Sequence, residues 1–225
     1  MTEGWNGDDA GFSARLQPLD ELLRQWVATG EVDGIAVAVS VRGEQVVEYH
    51  VGVSARGQVA GAATLWPLAS ISKLYTAAAI MTMVDRGELT LSLPVHAVFP
   101  RFSGGGREYV TLRHLLTHTS GLIYESPVME QRLSEQTPMS DLVEELFLYP
   151  LMFAPGTQHS YSDYGYLLAG WLAAEVAGMS FAELVQQRVL DPANLTNTFM
   201  IPPESEHHRL AKVVGSLAYG TEGAM

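Results

Sequence analysis

At 225 residues the chain has material for one domain, or two closely fused lobes, with a substantial core. A hydrophobic content of 47% against 17% charged residues excludes a disordered chain, and a formal net charge of −12 argues against a nucleic-acid surface or an anionic-membrane patch. With no cysteine, thiol nucleophiles, disulfides and thiolate zinc sites are excluded.

The chain opens with a polar, Gly-rich stretch, Met1–Ser13, which carries Glu3, Asp8 and Asp9 and no apolar run. It reads as a flexible arm (1–13) rather than a secretory leader. No apolar run approaches the length of a membrane span, so the expected location is the cytoplasm. The remainder, 14–225, reads as one domain. Leu19, Leu22, Leu23, Trp26 and Val27 have helical spacing, and Gly30 follows as a stop. Residues 34–41 and 45–51 read as two strands joined through Arg42-Gly43-Glu44, a hairpin signal. Ile35, Val37, Val39 and Val41 alternate with Ala36, Ala38 and Ser40, which predicts burial on both faces. Residues 52–63 read as loop with a short strand. A helical pattern then runs from Leu68 to Arg86-Gly87, and 89–100 is turn-rich, with Pro94 and Pro100. Thr111 reads as the N-cap of 112–117, and Ser140 as the cap of 141–148. Residues 164–177 form a strongly apolar helix stopped by Gly178. Ser180 and Glu183 make a capping box for the next helix, which ends near Pro192. There are no repeats and no low-complexity linker. The predicted order is two strands, then mostly helix.

Chemistry concentrates first in Leu68-Ala69-Ser70-Ile71-Ser72-Lys73, an S-x-x-K spacing at a helix start. Residues three apart on a helix share a face, so the Lys73 amine can reach the Ser70 hydroxyl. A serine is a weak nucleophile without a positioned base. Near a helix N-terminus it also lies beside backbone N–H groups that can stabilise an oxyanion. By itself the motif is short and arises by chance. The second concentration is Tyr161-Ser162-Asp163, after the turn Pro155-Gly156 and on the loop entering the 164–177 helix. A phenol beside an ammonium can shuttle a proton. Read alone, this segment is equally an aromatic helix entry packed on the core.

Other residues invite weaker readings. His114 and His118 stand four apart, but no glutamate lies between them, and capping or packing explains them better than zinc. Gly104-Gly105-Gly106 lacks the G-K-[ST] of a phosphate loop and reads as a loop tip. His207 and His208 are expected to face solvent. Met81, Met83 and 167–174 are expected in the core.

Together these segments resemble the serine β-lactamase and penicillin-recognising superfamily, in the branch of class C β-lactamases, D-alanyl-D-alanine carboxypeptidases and family VIII esterases. The resemblance runs from about Leu19 to Ala211. It rests on the strand pair with Gly34 and Gly43, on 64–73 around Ser70, and on Gly87-Glu88-Leu89-Thr90-Leu91 with Pro94-Val95. It rests further on Leu112-Arg113-His114-Leu115-Leu116-Thr117-His118-Thr119-Ser120-Gly121-Leu122, and on Pro155-Gly156-Thr157 with Tyr161-Ser162-Asp163 in place of Y-x-N.

The resemblance implies an α+β fold of the α/β-sandwich type, β-lactamase/transpeptidase-like, with an antiparallel sheet, flanking helices and a helical lobe. It implies a serine hydrolase acting on a small-molecule ester or amide through an acyl-serine, without metal or organic cofactor. Ser70 would attack. Lys73, neutral, would take its proton, Tyr161 would assist, and Asp163 would face the substrate. A lysine of ordinary pKa about 10.4 needs about 4 kcal/mol of environment to be neutral near pH 7. Only a closed site supplies that by desolvation.

Two departures from the family pattern stand out. Asp163 replaces an asparagine, and a carboxylate can only accept, which disfavours β-lactam amides. No K-T-G or H-x-G motif follows Ala211. The chain is therefore expected to be the N-terminal part of a longer enzyme, a truncated product, or one piece of a split protein. Its sheet would be incomplete, it would pair with a further segment or chain, and alone it would have poor solubility and weak activity. The alternatives are an acyltransferase or a D-Ala-D-Ala carboxypeptidase on the same scaffold, or an inactive fragment.

Overall fold

The computed structural model describes residues 10–54, 57–124, 131, 132, 135 and 137–211. They fall into two compact units: the residues up to Pro67 with those from Pro202, and the residues from Leu68 to Ile201. No single helix among the described residues is long and apolar enough to cross a membrane.

The first unit opens with helix α1, Ala10–Ala28. Residues 10–13 are thus helical rather than part of an arm, and 1–9 lie outside the described residues. The apolar face is narrower than the spacing predicts. Leu23 is buried, with Leu19 and Val27 half-buried one turn to either side, whereas Leu22 and Trp26 remain 40% and 38% exposed. Strands β1 (Gly34–Val41) and β2 (Glu44–Gly52) pair antiparallel, with Val37 opposite Tyr49 and a bulge between Val39 and Ser40. Arg42 and Gly43 join them with φ of 54° and 86°, the two positive values that a tight primed turn requires.

Gly34 and Gly52 are fixed by a close backbone approach. A Cβ on Gly34 would lie 2.2 Å from the Val53 carbonyl oxygen, and one on Gly52 would lie 2.2 Å from that of Asp33. Ala36, Ala38 and Ser40 are exposed, so only the Ile35-Val37-Val39-Val41 face is partly covered. The expected burial on both faces does not hold, because small residues lie on the open side. Among the described residues the sheet has these two strands only. Leu65 makes a parallel bridge to Leu210, with Leu65 N–H donating to the Arg209 carbonyl at 2.9 Å. His208 is exposed, but His207 is half-buried with Nε2 3.1 Å from the Pro202 carbonyl, so only one of the pair faces solvent.

The second unit is helical. A 3₁₀ turn, Ala69–Ser72, leads into α2 (Lys73–Asp85). Then follow α3 (Leu112–Leu116), α4 (Met139–Leu146), α5 (Asp163–Ala177) and α6 (Phe181–Val185), the last running on into a π-helical turn over Gln186–Leu190. The core is one cluster that includes Ile80, Met83, Leu112, Leu115, Leu146, Leu168, Leu172 and Leu184, all at 0% exposure. Such leucines each contribute about 2–5 kcal/mol against alanine. Two of the three predicted caps are in place. Thr111 and His114 form a reciprocal capping box on α3, and Ser180 and Glu183 form one on α6.

Two expectations need correction in this unit, and a third is met. Helix α4 begins at Met139 with Pro138 at the N-cap position, so Ser140 lies inside its first turn; proline pre-sets the entry instead. Met81 is 40% exposed while Met83 is buried, because only one side of α2 meets the core. Gly104, Gly105 and Gly106 all have positive φ, and their loop is filled from within. The Glu108 carboxylate accepts the Gly104 N–H at 2.5 Å, and backbone donors, its own N–H first and then that of Gly104, hold the carboxyl below its usual range.

Candidate active site

The Ser70 turn begins with a strained residue. Ala69 has φ of +45°, a left-handed conformation that costs a non-glycine residue on the order of 1–2 kcal/mol. Ser70 follows within the 3₁₀ turn, and Lys73 is the first residue of α2. The turn is tighter than the α-helical start predicted, yet it keeps the i, i+3 relation. Lys73 Nζ donates to Ser70 Oγ at 3.3 Å. From the entrance to α5, the Tyr161 hydroxyl donates to the same oxygen at 2.7 Å. Lys73 Nζ also forms an ion pair with Asp163 Oδ1, and it lies 4.9 Å from the centre of the Tyr161 ring and 5.8 Å from that of Tyr166. The four residues singled out in the sequence, Ser70, Lys73, Tyr161 and Asp163, therefore meet at one point.

Electrostatics at that point run against one expectation. Burial is the largest single influence on Lys73 and pushes its pKa down. The hydrogen bond and charge of Asp163, with a contribution from Tyr161, outweigh it, and the net shift is upward. Lys73 is an ammonium here, not the neutral amine expected. The reason is the residue at 163. An amide would leave only the smaller Tyr161 contribution against desolvation, whereas a carboxylate in contact favours the charged form.

The Tyr161-Ser162-Asp163 segment is held by the 112–122 string. Ser160 N–H donates to the His118 carbonyl at 2.9 Å, Ser162 N–H to His118 Nδ1 at 3.1 Å, and Asp163 N–H to the Tyr124 carbonyl at 3.0 Å. Ser162 is fully buried. Its hydroxyl donates to the Ile123 carbonyl at 2.6 Å and accepts from Gly165 N–H at 3.0 Å, capping α5. The His118 ring packs on Tyr161 at 4.4 Å and on Tyr166 at 5.1 Å. An Nδ1 that accepts assigns the proton to Nε2 of a neutral ring. In keeping with this, burial first, then His159 and Lys73, hold its pKa below the ordinary histidine value.

Gly121 and Gly156 close the frame. A Cβ on Gly121 would lie 2.3 Å from the Phe153 carbonyl oxygen, and Gly156 N–H donates to the Thr119 carbonyl at 2.8 Å. His114 Nδ1 accepts the Thr111 N–H at 3.2 Å, so the two histidines are used in capping and packing. Among the described residues, no three His, Asp or Glu side chains gather where they could hold a metal ion. His118, Tyr124, Ser162 and Tyr166 were not singled out as site residues from the sequence. Ser162, directly before the apolar helix, is the one with a legible signal, that of an N-cap.

Comparison with known proteins agrees with this geometry. The Beta-lactamase family model matches residues 19–222. The chain is 32% identical over 179 residues to a beta-lactamase of Escherichia coli K12, covering 78% of this chain and 46% of that protein. It is 31% identical over 218 residues to the esterase EstB of Burkholderia gladioli, covering 88% and 54%. The crystal structure of a class C beta lactamase matches with a TM-score of 0.79 at 24% identity, over 91% of this chain and 56% of that one. That likeness gives the fold as the expected β-lactamase/transpeptidase-like α+β architecture. The chain spans about half the length of the curated relatives it matches. With a family model covering most of its length, the chain belongs to the beta-lactamase family.

Proposed function

We propose that the chain is a serine hydrolase of the esterase and β-lactamase-like class, acting on a small ester or amide through an acyl-serine. The observation that carries this reading is the Ser70 oxygen, which takes hydrogen bonds from both Lys73 Nζ and the Tyr161 hydroxyl. In the proposed reaction Lys73, once neutral, takes the Ser70 proton as Oγ bonds to the substrate carbonyl carbon. Collapse of the tetrahedral adduct breaks the bond to the leaving group, which departs with a proton delivered through Lys73 and Tyr161. Water then attacks the acyl-serine, and Ser70 regains its proton. Two relatives named as esterases support the ester end of the substrate range. So does Asp163, which accepts only and offers a substrate amide carbonyl no donor.

The proposed setting is the cytoplasm. A two-stranded hairpin is marginal alone, and we propose that a further segment or a complementing chain adds strands to it. The proposal is tested by assaying the chain and its Ser70→Ala variant on p-nitrophenyl acetate, nitrocefin and a D-Ala-D-Ala peptide. Ester turnover lost in the variant is the expected result. Turnover of the peptide alone would favour the carboxypeptidase alternative. Ester turnover unchanged by Ser70→Ala would overturn the assignment.

A further inference from the structure

We infer that Asp163 is a positioning residue that governs when Lys73 can act as a base: its carboxylate holds the amine as an ammonium, so that acylation of Ser70 proceeds only as that ion pair is discharged. This rests on the nucleophile reading above. The geometry is direct. Asp163 is the first residue of α5, and its backbone is fixed by the bond to the Tyr124 carbonyl, while its Oδ1 meets Lys73 Nζ. Lys73 donates both to that carboxylate and to Ser70 Oγ. An ammonium that donates to Ser70 Oγ orients the hydroxyl and cannot take its proton.

Asp163 is the foremost group that favours the charged amine, and Tyr161 adds a smaller contribution in the same direction. Ser70 precedes Lys73 on its own turn, and Tyr161 approaches from the loop before α5. Tyr166 presents its ring from α5, and His118 lies beside Tyr161. His118 is neutral by its bond from Ser162 N–H. The Tyr166 phenol is pushed upward, foremost by burial, and stays protonated. Asp163 is thus the carboxylate that faces the amine. The proton count follows. Discharge releases one proton to solvent from Lys73 and leaves a lone pair that accepts the Ser70 proton during attack. Removing the Asp163 charge makes that discharge easier.

The test compares the chain with Asp163→Asn, which keeps shape and hydrogen-bonding reach, and with Asp163→Ala. The rate of fluorophosphonate labelling at Ser70 is followed between pH 6 and 10. Lysine side-chain NMR of uniformly ¹³C-labelled protein, with Lys73→Met used to assign the signal, reads the Lys73 titration directly. In the parent chain labelling should climb towards high pH. In both variants the climb and the Lys73 titration should move to lower pH, with labelling at pH 7 about tenfold faster or more. Superimposable pH profiles with Ser70 labelling intact in all three would overturn the proposal and leave the nucleophile reading standing. No labelling of Ser70 at any pH in any of the three would overturn that reading, and this inference with it.

Discussion

His118 and Tyr161 stack with ring centres 4.4 Å apart, and through this contact the 112–122 string supports the phenol that reaches Ser70. The same imidazole accepts the Ser162 N–H at 3.1 Å. Replacing His118 with alanine removes both the acceptor and the ring. We expect a loss of about 1–3 kcal/mol, the usual cost of orphaning a buried backbone donor, and a slower Ser70 reaction. Urea denaturation with parallel probe labelling checks this; unchanged stability and rate would show the contact to be incidental.

The same residue sets a pH dependence. Its pKa is depressed in the folded chain below the ordinary 6.5, so the unfolded chain binds more protons in the window below that value. Stability from His118 is therefore present above about 6.5 and is lost as pH falls through the folded pKa. Glu48, Glu108 and Glu183 are also depressed, but their losses begin only below their ordinary 4.5. Denaturation midpoints should fall between pH 7 and 5, and the fall should be smaller in His118→Gln. Equal slopes in both chains would contradict the assignment.

Lys73 separates charge from basicity. Lys73→Arg keeps a cation beside Asp163 but cannot shed its proton at any working pH. We expect stability close to the parent chain and no acylation, whereas Lys73→Ala loses acylation and strands the Asp163 charge. Acylation by the arginine variant at a normal rate would remove Lys73 from the proton path.

Backbone strain gives a paired test. Gly121 and Gly104 share φ of +81°, but only Gly121 faces a carbonyl within 4 Å, that of Phe153. Gly104→Ala should cost about 1 kcal/mol for the left-handed backbone alone. Gly121→Ala should cost clearly more and slow the Ser70 reaction, because the string and the 152–157 loop must part. Equal costs would show that the close approach relaxes freely. At Ala69, with φ of +45°, valine should destabilise by more than about 1 kcal/mol, while glycine should be near neutral.

What was legible in the sequence was local. The S-x-x-K spacing, the Thr111 and Ser180 caps, the Gly178 stop and the hairpin depend on neighbours within four residues, and all appear in the structure. The convergence of Tyr161 on Ser70, 91 residues away, followed from the resemblance and not from spacing. The protonation state of Lys73 is not legible from spacing because it is a contest. Burial and Asp163 push in opposite directions, and a sequence names both without weighing them. The spacing of His114 and His118 points to capping or packing, but nothing in it says that His118 packs on Tyr161, 43 residues away. The hairpin faces were misjudged because alanine and serine sit equally well against solvent or core.

The most direct measurement of the central claim is to trap the acyl group itself. The chain is mixed with an activated ester at pH 8, quenched in acid within seconds, digested, and mapped by mass spectrometry. The account predicts one acyl adduct, on the peptide containing Ser70, absent from Ser70→Ala and from Lys73→Arg. An adduct on another residue that persists in Ser70→Ala, with none on Ser70, would contradict it.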